Sequence, residues 1–287
     1  MNVEKDYNTR LNQLIKNGLD EDLGDGDHST LACISADERG WAKLVIKAEG
    51  TLAGVDVAKK IFHYADQSSV IHQQKNDGDE MHFGEIAFEV ESTVYNILTC
   101  ERLVLNCMQR MSGIASLTKK YTDKLKGYST QLLDTRKTTP NFRLLEKEAV
   151  RIGGGINHRF GLYDMIMLKD NHIDYCGGIE EAIEKAWIYV QEKKPGLKIE
   201  VETRSLEDVK KVIKTGKVNR IMLDNFSPEK IKEALIIIDK RYETEASGGI
   251  NLENIESYAA TGVDYISSGA VIHQATSLDL SLKAEKI

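Results

Sequence analysis

Between residues 198 and 268 the chain reads Lys198-Ile199-Glu200-Val201-Glu202, Arg220-Ile221-Met222-Leu223-Asp224, Glu243-Thr244-Glu245-Ala246-Ser247 and Val263-Asp264-Tyr265-Ile266-Ser267-Ser268. Each of these short runs closes on a polar residue, and successive ends lie 22, 23 and 21 residues apart. That is about the length of one strand, one helix and two short loops. Two earlier runs, Gln131-Leu132-Leu133-Asp134 and Asp164-Met165-Ile166-Met167-Leu168-Lys169, have the same form. Strands alternating with helices predict a parallel sheet. Six runs rather than eight predict an incomplete parallel α/β barrel, and spacing alone leaves an open doubly wound sheet as the alternative.

Upstream of about residue 115 the pattern changes. Alternation over Trp41–Lys47 and Glu85–Val90 predicts strands, separated by a helical stretch near 54–66 and a turn at Asn76-Asp77-Gly78-Asp79. Cys100, Leu103, Val104, Cys107, Met108, Met111 and Ile114 recur at helical spacing and predict one strong amphipathic helix. The organisation expected is an N-terminal α+β sandwich domain over 1–115 and a barrel domain over 116–287, with a last helix returning to the first domain. The acidic stretch Asp20–His28 lacks the register of a calcium loop and is read as a helix end followed by a turn.

The 287 residues are 41% hydrophobic and 29% charged, which is the composition of a globular protein with a full-sized core. No stretch approaches the roughly 18 apolar residues of a membrane span, and Met1–Asp6 lacks the apolar core of a signal peptide. The expected location is the cytoplasm. A net charge of −7 sets the surface against nucleic acid and anionic membranes, so an anionic ligand requires a local basic pocket. Cys33, Cys100, Cys107 and Cys176 form no C-x-x-C pair and are read as buried small hydrophobes.

In parallel barrels, ligands bind at the carboxyl ends of the strands. Those ends carry Asp134, Lys169, Glu202, Asp224, Ser247 and Ser268, the last followed by Gly269. Arg136-Lys137 follows one end, and His158-Arg159 follows the glycine run Gly153-Gly154-Gly155. With Lys169, these four cations suit a ligand bearing several negative charges, because a guanidinium fork matches two oxygens of a carboxylate or phosphate. Arg143, Lys147 and Arg151 recur at i+4 and are read as a solvated helix face. Glu202 and Asp224 fit either a magnesium ion or sugar hydroxyls. Glu200, two residues before Glu202, either shares that role or lies deeper. Ser247-Gly248-Gly249 and Ser268-Gly269-Ala270 offer backbone N–H groups to a phosphate.

The ordered motifs Asp134-Thr135-Arg136-Lys137-Thr138, Gly153–Arg159, Lys169-Asp170-Asn171-His172, Leu223-Asp224-Asn225-Phe226 and Ser247-Gly248-Gly249 resemble those of the quinolinate phosphoribosyltransferase family. Glu101-Arg102 and Ser112-Gly113-Ile114-Ala115 extend the resemblance over nearly the whole chain. It implies transfer of phosphoribosyl from phosphoribosyl pyrophosphate to quinolinate with decarboxylation, giving nicotinate mononucleotide, pyrophosphate and carbon dioxide for NAD synthesis. It further implies that Thr135, Arg136, His158, Arg159 and Lys169 bind quinolinate, with Arg102 supplied by a neighbouring subunit of a homodimer or larger homo-oligomer. Lys137 then meets the pyrophosphate together with Lys169. Glu202 and Asp224 hold ribose hydroxyls and Mg2+, and Ser247, Gly248, Gly249, Ser268, Gly269 and Ala270 cradle the 5′-phosphate. No organic cofactor is implied. Ala246 departs from the family, where a second serine is expected before Ser247, and this bears on one phosphate hydrogen bond. Three rival readings are a molybdenum-associated paralogue on the same fold, a Schiff-base lyase using Lys169, and a non-catalytic metabolite-binding barrel.

Overall fold

The computed structural model describes residues 3–285. Met1 and Asn2, which open the stretch read for a leader, lie outside the described residues. The chain runs through α1 (Val3–Leu23), α2 (His28–Cys33), β1 (Arg39–Ile46), β2 (Gly50–Thr51), α3 (Val55–Ala65), β3 (Val70–Gln73), β4 (Glu80–Met81), β5 (Ile86–Thr93) and α4 (Val94–Lys124). It continues through β6 (Gln131–Leu133), α5 (Arg143–Ile152), β7 (Ile166–Leu168), α6 (Asp170–Cys176), α7 (Ile179–Lys193), β8 (Ile199–Thr203), α8 (Leu206–Thr215) and β9 (Arg220–Asp224). The last elements are α9 (Pro228–Ile238), β10 (Glu243–Ser247), α10 (Ile255–Ala259), β11 (Tyr265–Ser267), α11 (Ala270–His273) and β12 (Leu280–Glu285). No helix among the described residues is long and apolar enough to cross a membrane.

Two compact units emerge. One comprises Met1–Lys119, Thr138–Gly154 and Ile272–Ile287, the other Lys120–Lys137 and Gly155–Val271. This division is finer than a single boundary near residue 115, because α5 and β12 belong to the first unit. The element that returns there is a strand, not the helix expected from the sequence: β12 pairs antiparallel with β1, Leu44 opposite Leu282.

The first unit is built on an antiparallel sheet of order β12-β1-β5-β3. Period-two alternation in β1 buries Ala42, Leu44 and Ile46 completely. On the other face Trp41 stacks on His72, and Lys43 pairs with Glu285 at 2.8 Å. The amphipathic stripe on α4 is buried as its spacing predicts, except that Leu103 is only half-buried. Asp27 caps α2 by accepting from the Ser29 and Thr30 amides, so the acidic stretch is a helix end and a turn. The solvated face expected of α5 is not found. Lys147 is buried among Leu145, Glu146, Ala149 and Val150, while Arg151, paired with Glu148, is exposed. Four-residue spacing does keep these cations near one face, but part of that face is covered. Cys100 and Cys107 are buried, with burial pushing both thiols up to about 12. Cys33 is exposed, so the expectation of burial fails there.

Gly113 shows why one position of α4 carries no side chain. A Cβ there would sit 2.1 Å from the Thr276 carbonyl oxygen, a backbone atom. Gly113→Ala is therefore expected to destabilise the protein by about 2 kcal/mol through overpacking. Chemical denaturation followed by circular dichroism checks this, and an unchanged midpoint would refute it.

The second unit is a six-stranded parallel sheet of order β6-β11-β10-β9-β8-β7. Its central strands are buried on both faces, as helix-covered parallel strands should be. One alternation buries Ile199, Val201, Ile221, Leu223, Ala246 and Ile266. The other carries Glu200, Glu202, Arg220, Met222, Asp224, Glu243, Glu245 and Ser247. A typical barrel fills its interior with branched apolar side chains; here that layer is largely charged.

The sheet is curled rather than flat. Strands β6 and β8 are four steps apart in the sheet, about 19 Å if it were flat. Yet the His158 backbone N–H donates to Asp134, at the end of β6, while its ring lies 3.0 Å from Glu200 on β8. The incomplete barrel is thus the arrangement present, and the open doubly wound alternative falls away.

Candidate functional site

The carboxyl ends of the strands assemble the charged groups of the second unit. Lys169 leaves β7 and caps α6 with its backbone, its N–H donating to His172 Nδ1. Its Nζ donates to Glu202 Oε2 at 2.9 Å. Parallel register explains the meeting: Met167 lies opposite Glu200, so two residues on, Lys169 comes level with Glu202. On the next strand Asp224 is half-buried. Burial, and then the neighbouring charge of Glu202, raises its pKa.

Asn225 adopts a left-handed backbone, φ 56°, and its amide donates to Asp224 Oδ2 at 2.6 Å. Its backbone N–H donates to the Ser247 carbonyl at 2.8 Å. Asn225 thereby joins the Asp224 carboxylate to the glycine turn that follows β10, in which Gly248 and Gly249 have φ 96° and 64°. Ala246 is wholly buried, out of phase with Glu245 and Ser247, so its side chain faces away from that turn. The expected loss of a phosphate hydrogen bond therefore finds no support in its placement. Ser268 is also buried, and both of its donors are committed: its hydroxyl to the Ile250 carbonyl at 3.0 Å and its N–H to Leu133. It braces the turn rather than offering a donor, whereas Gly269 and Ala270 follow it into α11.

The basic groups converge from two loops. Thr135 and Arg136 are half-buried after β6, and Thr135 Oγ1 accepts from the amide of exposed Lys137. Asp134 is wholly buried, so this strand end is a tie for the loop of His158, not a ligand group. Arg159 donates to the Met165 carbonyl at 3.2 Å. Its pKa is lowered by burial and by the charge of Arg136, so the two guanidiniums stand close enough to repel each other. Two guanidiniums this close suit an anion with two negative groups, although Glu200 and Asp164 also act on Arg159. Arg102 lies on α4 in the first unit and is exposed there.

His158 lies deeper than the other cations expected to meet the ligand. Its ring is buried, with Nε2 at 3.0 Å from Glu200 and 3.3 Å from Glu245. Arg220 Nη1 donates to Glu245 at 3.0 Å, and its Nε and Nη2 donate to Glu243. The guanidinium also lies over the Tyr265 ring, 4.1 Å from its centroid. Glu200 is therefore the deeper group and does not share the surroundings of Glu202. Burial and the adjacent Glu245 push Glu200 up to about 7. Burial opposes a charge on His158, whereas Glu200 and Glu245 favour one. Both effects have one origin: two buried carboxylates facing one guanidinium retain one extra proton in the His158–Glu200 pair, and with Nδ1 accepting the Arg159 N–H that proton rests on the Glu200 carboxyl.

His158, Glu200 and Glu245 have the donor types of a metal centre, with ligand atoms within 4.8 Å of one another. However, His158 Nδ1 accepts the Arg159 N–H, so the ring proton sits on Nε2, and Arg220 occupies Glu245. The group is an ion network. A hard dication suits Glu202 and Asp224 instead. Both are oxygen donors at neighbouring strand ends, and a cation between them relieves the Glu202 repulsion that adds to burial in raising Asp224.

Sequence reasoning singled out Glu200 but missed Arg220 and Glu245. The available signal was Glu-x-Glu in two buried strands, Glu200-Val201-Glu202 and Glu243-Thr244-Glu245. Period two puts both carboxylates of each pair on one face, where they require cations.

An incomplete α/β barrel with paired guanidiniums, a lysine–carboxylate strand-end pair and a glycine turn defines a class: barrel proteins that hold small polyanions at their strand ends. The family is also determined. Residues 114–283 match the C-terminal domain of quinolinate phosphoribosyl transferase, and residues 27–112 match its N-terminal domain. The chain belongs to the quinolinate phosphoribosyltransferase family. It is 43% identical to quinolinate phosphoribosyltransferase [decarboxylating] 2b, mitochondrial, of Nicotiana tabacum, over 96% of this chain and 82% of that protein. It is 42% identical to a probable nicotinate-nucleotide pyrophosphorylase [carboxylating] of Bacillus subtilis, over 95% and 93%. NadC from Streptococcus pyogenes superposes with a TM-score of 0.89 at 40% identity, covering 97% of this chain and 98% of the other.

Proposed function

We propose that this chain transfers phosphoribosyl from phosphoribosyl pyrophosphate to quinolinate with loss of carbon dioxide, forming nicotinate mononucleotide and pyrophosphate. The observation that carries the reading is the pair Arg136 and Arg159, close enough to perturb each other, in the same barrel whose strand ends carry the Lys169–Glu202 contact. That pair suits the two carboxylates of quinolinate, and Lys169 completes the cationic set. The Ser247–Gly249 turn and the start of α11 at Ala270 receive the 5′-phosphate, and Glu202 and Asp224 take the ribose hydroxyls.

As pyrophosphate leaves, the ribose carbon becomes cation-like, and the charge that departs is stabilised by Lys137 and Lys169. The pyridine nitrogen attacks that carbon. Its new positive charge stabilises the electron pair left on the ring carbon when the adjacent carboxylate leaves as carbon dioxide, and a proton from solvent then completes the C–H bond there. The chain's own residues chiefly orient and hold charge, so positioning contributes more than proton transfer. Mg2+ held by Glu202 and Asp224 would neutralise pyrophosphate charge, and no organic cofactor enters.

Purified protein incubated with quinolinate, phosphoribosyl pyrophosphate and Mg2+ is expected to release carbon dioxide and pyrophosphate in equal amounts. Tubes with nicotinate in place of quinolinate, or with a chelator, are expected to stay silent. Silence with quinolinate from folded protein refutes the reading and favours the paralogue or a binding role.

The assembly proposed is a homodimer or larger homo-oligomer in the cytoplasm, with Arg102 supplied across the subunit interface. Inactive Arg102→Ala mixed with inactive Lys169→Ala is then expected to recover about a quarter of wild-type activity, from random pairing into sites carrying neither change. Absence of recovery, despite demonstrated subunit exchange, rules out Arg102 acting in its neighbour's site.

A further inference from the structure

The largest feature that the proposed reaction does not use is the ion network beneath the strand ends. Glu200 and Glu245 are both wholly inaccessible to solvent, and His158 and Arg220 are buried with them. None of these carboxylates can touch a ligand in the barrel mouth. Burying such a set is costly, and apolar side chains of similar size commonly fill the space at no loss of stability. Its geometry, though, leads outward in one direction.

Arg220 is fixed from below by Glu243 and by stacking on Tyr265. It fixes Glu245 at 3.0 Å, and Glu245 in turn meets His158 Nε2 at 3.3 Å. His158 is then held at three points: its ring by the carboxylates, its backbone N–H by Asp134 at 2.8 Å, and its Nδ1 by the Arg159 N–H at 2.6 Å. Downstream, the Phe160 and Gly161 amides donate to Asp164 at 2.6 and 2.8 Å, closing the loop that returns to Met165. Arg159, the residue in that loop with an outward cationic role, thus takes its backbone position from a ring set by Glu245.

We infer that Glu245 is a positioning residue, which through His158 places the Arg159 guanidinium to receive a quinolinate carboxylate. The inference rests on the reading under Proposed function and adds a residue that no ligand contacts. His158 accordingly acts as a strut for Arg159.

The test is Glu245→Gln, which keeps the size and removes the charge that ties Arg220 to His158. KM for quinolinate is expected to rise at least tenfold, with KM for phosphoribosyl pyrophosphate within twofold and kcat within threefold. A merely structural role would lower the active fraction, and so kcat, without moving one KM alone. If near-ultraviolet circular dichroism shows that this variant does not fold, Arg220→Gln/Glu245→Gln, which removes both charges together, is measured with the same expectation. On the unchanged protein, 15N-histidine NMR is expected to show an unprotonated Nδ1 at His158; a protonated Nδ1 breaks the link to Arg159 and overturns the inference. Unchanged protein assayed alongside separates the two claims. No product there removes the functional reading, while product there with an unshifted quinolinate KM in a folded variant removes this inference alone.

Discussion

Lys169→Ala is expected to lower kcat/KM for quinolinate by about 1,000-fold or more, a loss of about 4 kcal/mol of transition-state stabilisation, while the fold survives. Two features of the site separate these effects. The structural work of Lys169 is done by its backbone, whose N–H donates to His172 Nδ1 at the start of α6, and alanine keeps that bond. The side chain is 45% exposed, so removing it leaves no cavity, but Glu202 across the ion pair is buried, and leaving it without its cation costs about 1–3 kcal/mol. Thermal unfolding is therefore expected within about 8 °C of the unchanged protein. The catalytic loss comes from elsewhere: the developing pyrophosphate and a quinolinate carboxylate each lose a fixed cation, and Glu202 becomes an uncompensated negative charge beside Asp224. Steady-state kinetics with a melting curve on the same sample checks both halves. A parallel loss of melting temperature would make Lys169 a structural residue, and near-normal turnover would remove it from the reaction. Borohydride trapping at Lys169 with a carbonyl substrate would revive the lyase.

The strand ends were legible because spacing is a strong constraint. Runs closing on Glu202, Asp224, Ser247 and Ser268 at near-equal intervals admit few arrangements other than strand–helix repeats, and β8 to β11 lie where those runs lie. What lay off that period was harder to read. Asp134 and Ser268 sit at strand ends but spend their polar groups inside the fold; a strand end specifies position, not the direction a bond takes. His158 reads as a free cation in sequence because the carboxylates that occupy it, on β8 and β10, are 42 and 87 residues away. Lys147 reads as surface for a similar reason: helical spacing reveals which residues share a face, not what covers that face. The return of β12 to β1 joins positions more than 230 residues apart, and a six-residue strand offers no local mark of its partner. Sequence period thus recovered the barrel and its rim, while the layer of charge beneath required long-range pairing.

Gly248→Ala is expected to raise KM for phosphoribosyl pyrophosphate by about 100-fold, equivalent to about 2.7 kcal/mol, with KM for quinolinate within about threefold. Two costs combine. The residue has φ 96°, a conformation in which a Cβ costs about 1–2 kcal/mol. The added Cβ would also lie 2.3 Å from Asn225 Oδ1 and 2.7 Å from its Cγ, so the Asn225 amide must swing away. That amide holds Asp224 Oδ2 at 2.6 Å, and the strain therefore passes from the phosphate turn to the carboxylate proposed for the ribose hydroxyls. Quinolinate is spared because the cations proposed for it, Arg136, Arg159 and Lys169, sit on other loops. A double variant separates the two costs. In Asn225→Gly/Gly248→Ala the side-chain collision is gone and only the backbone cost remains, so the pair is expected to be more stable than Gly248→Ala alone, by about 1–2 kcal/mol in a denaturation cycle. Its KM for phosphoribosyl pyrophosphate should nevertheless stay high, since Asp224 has lost the amide that orients it. Simple additivity of the two substitutions in both measurements would show that Asn225 and Gly248 act independently, and would leave the glycine with a backbone role only.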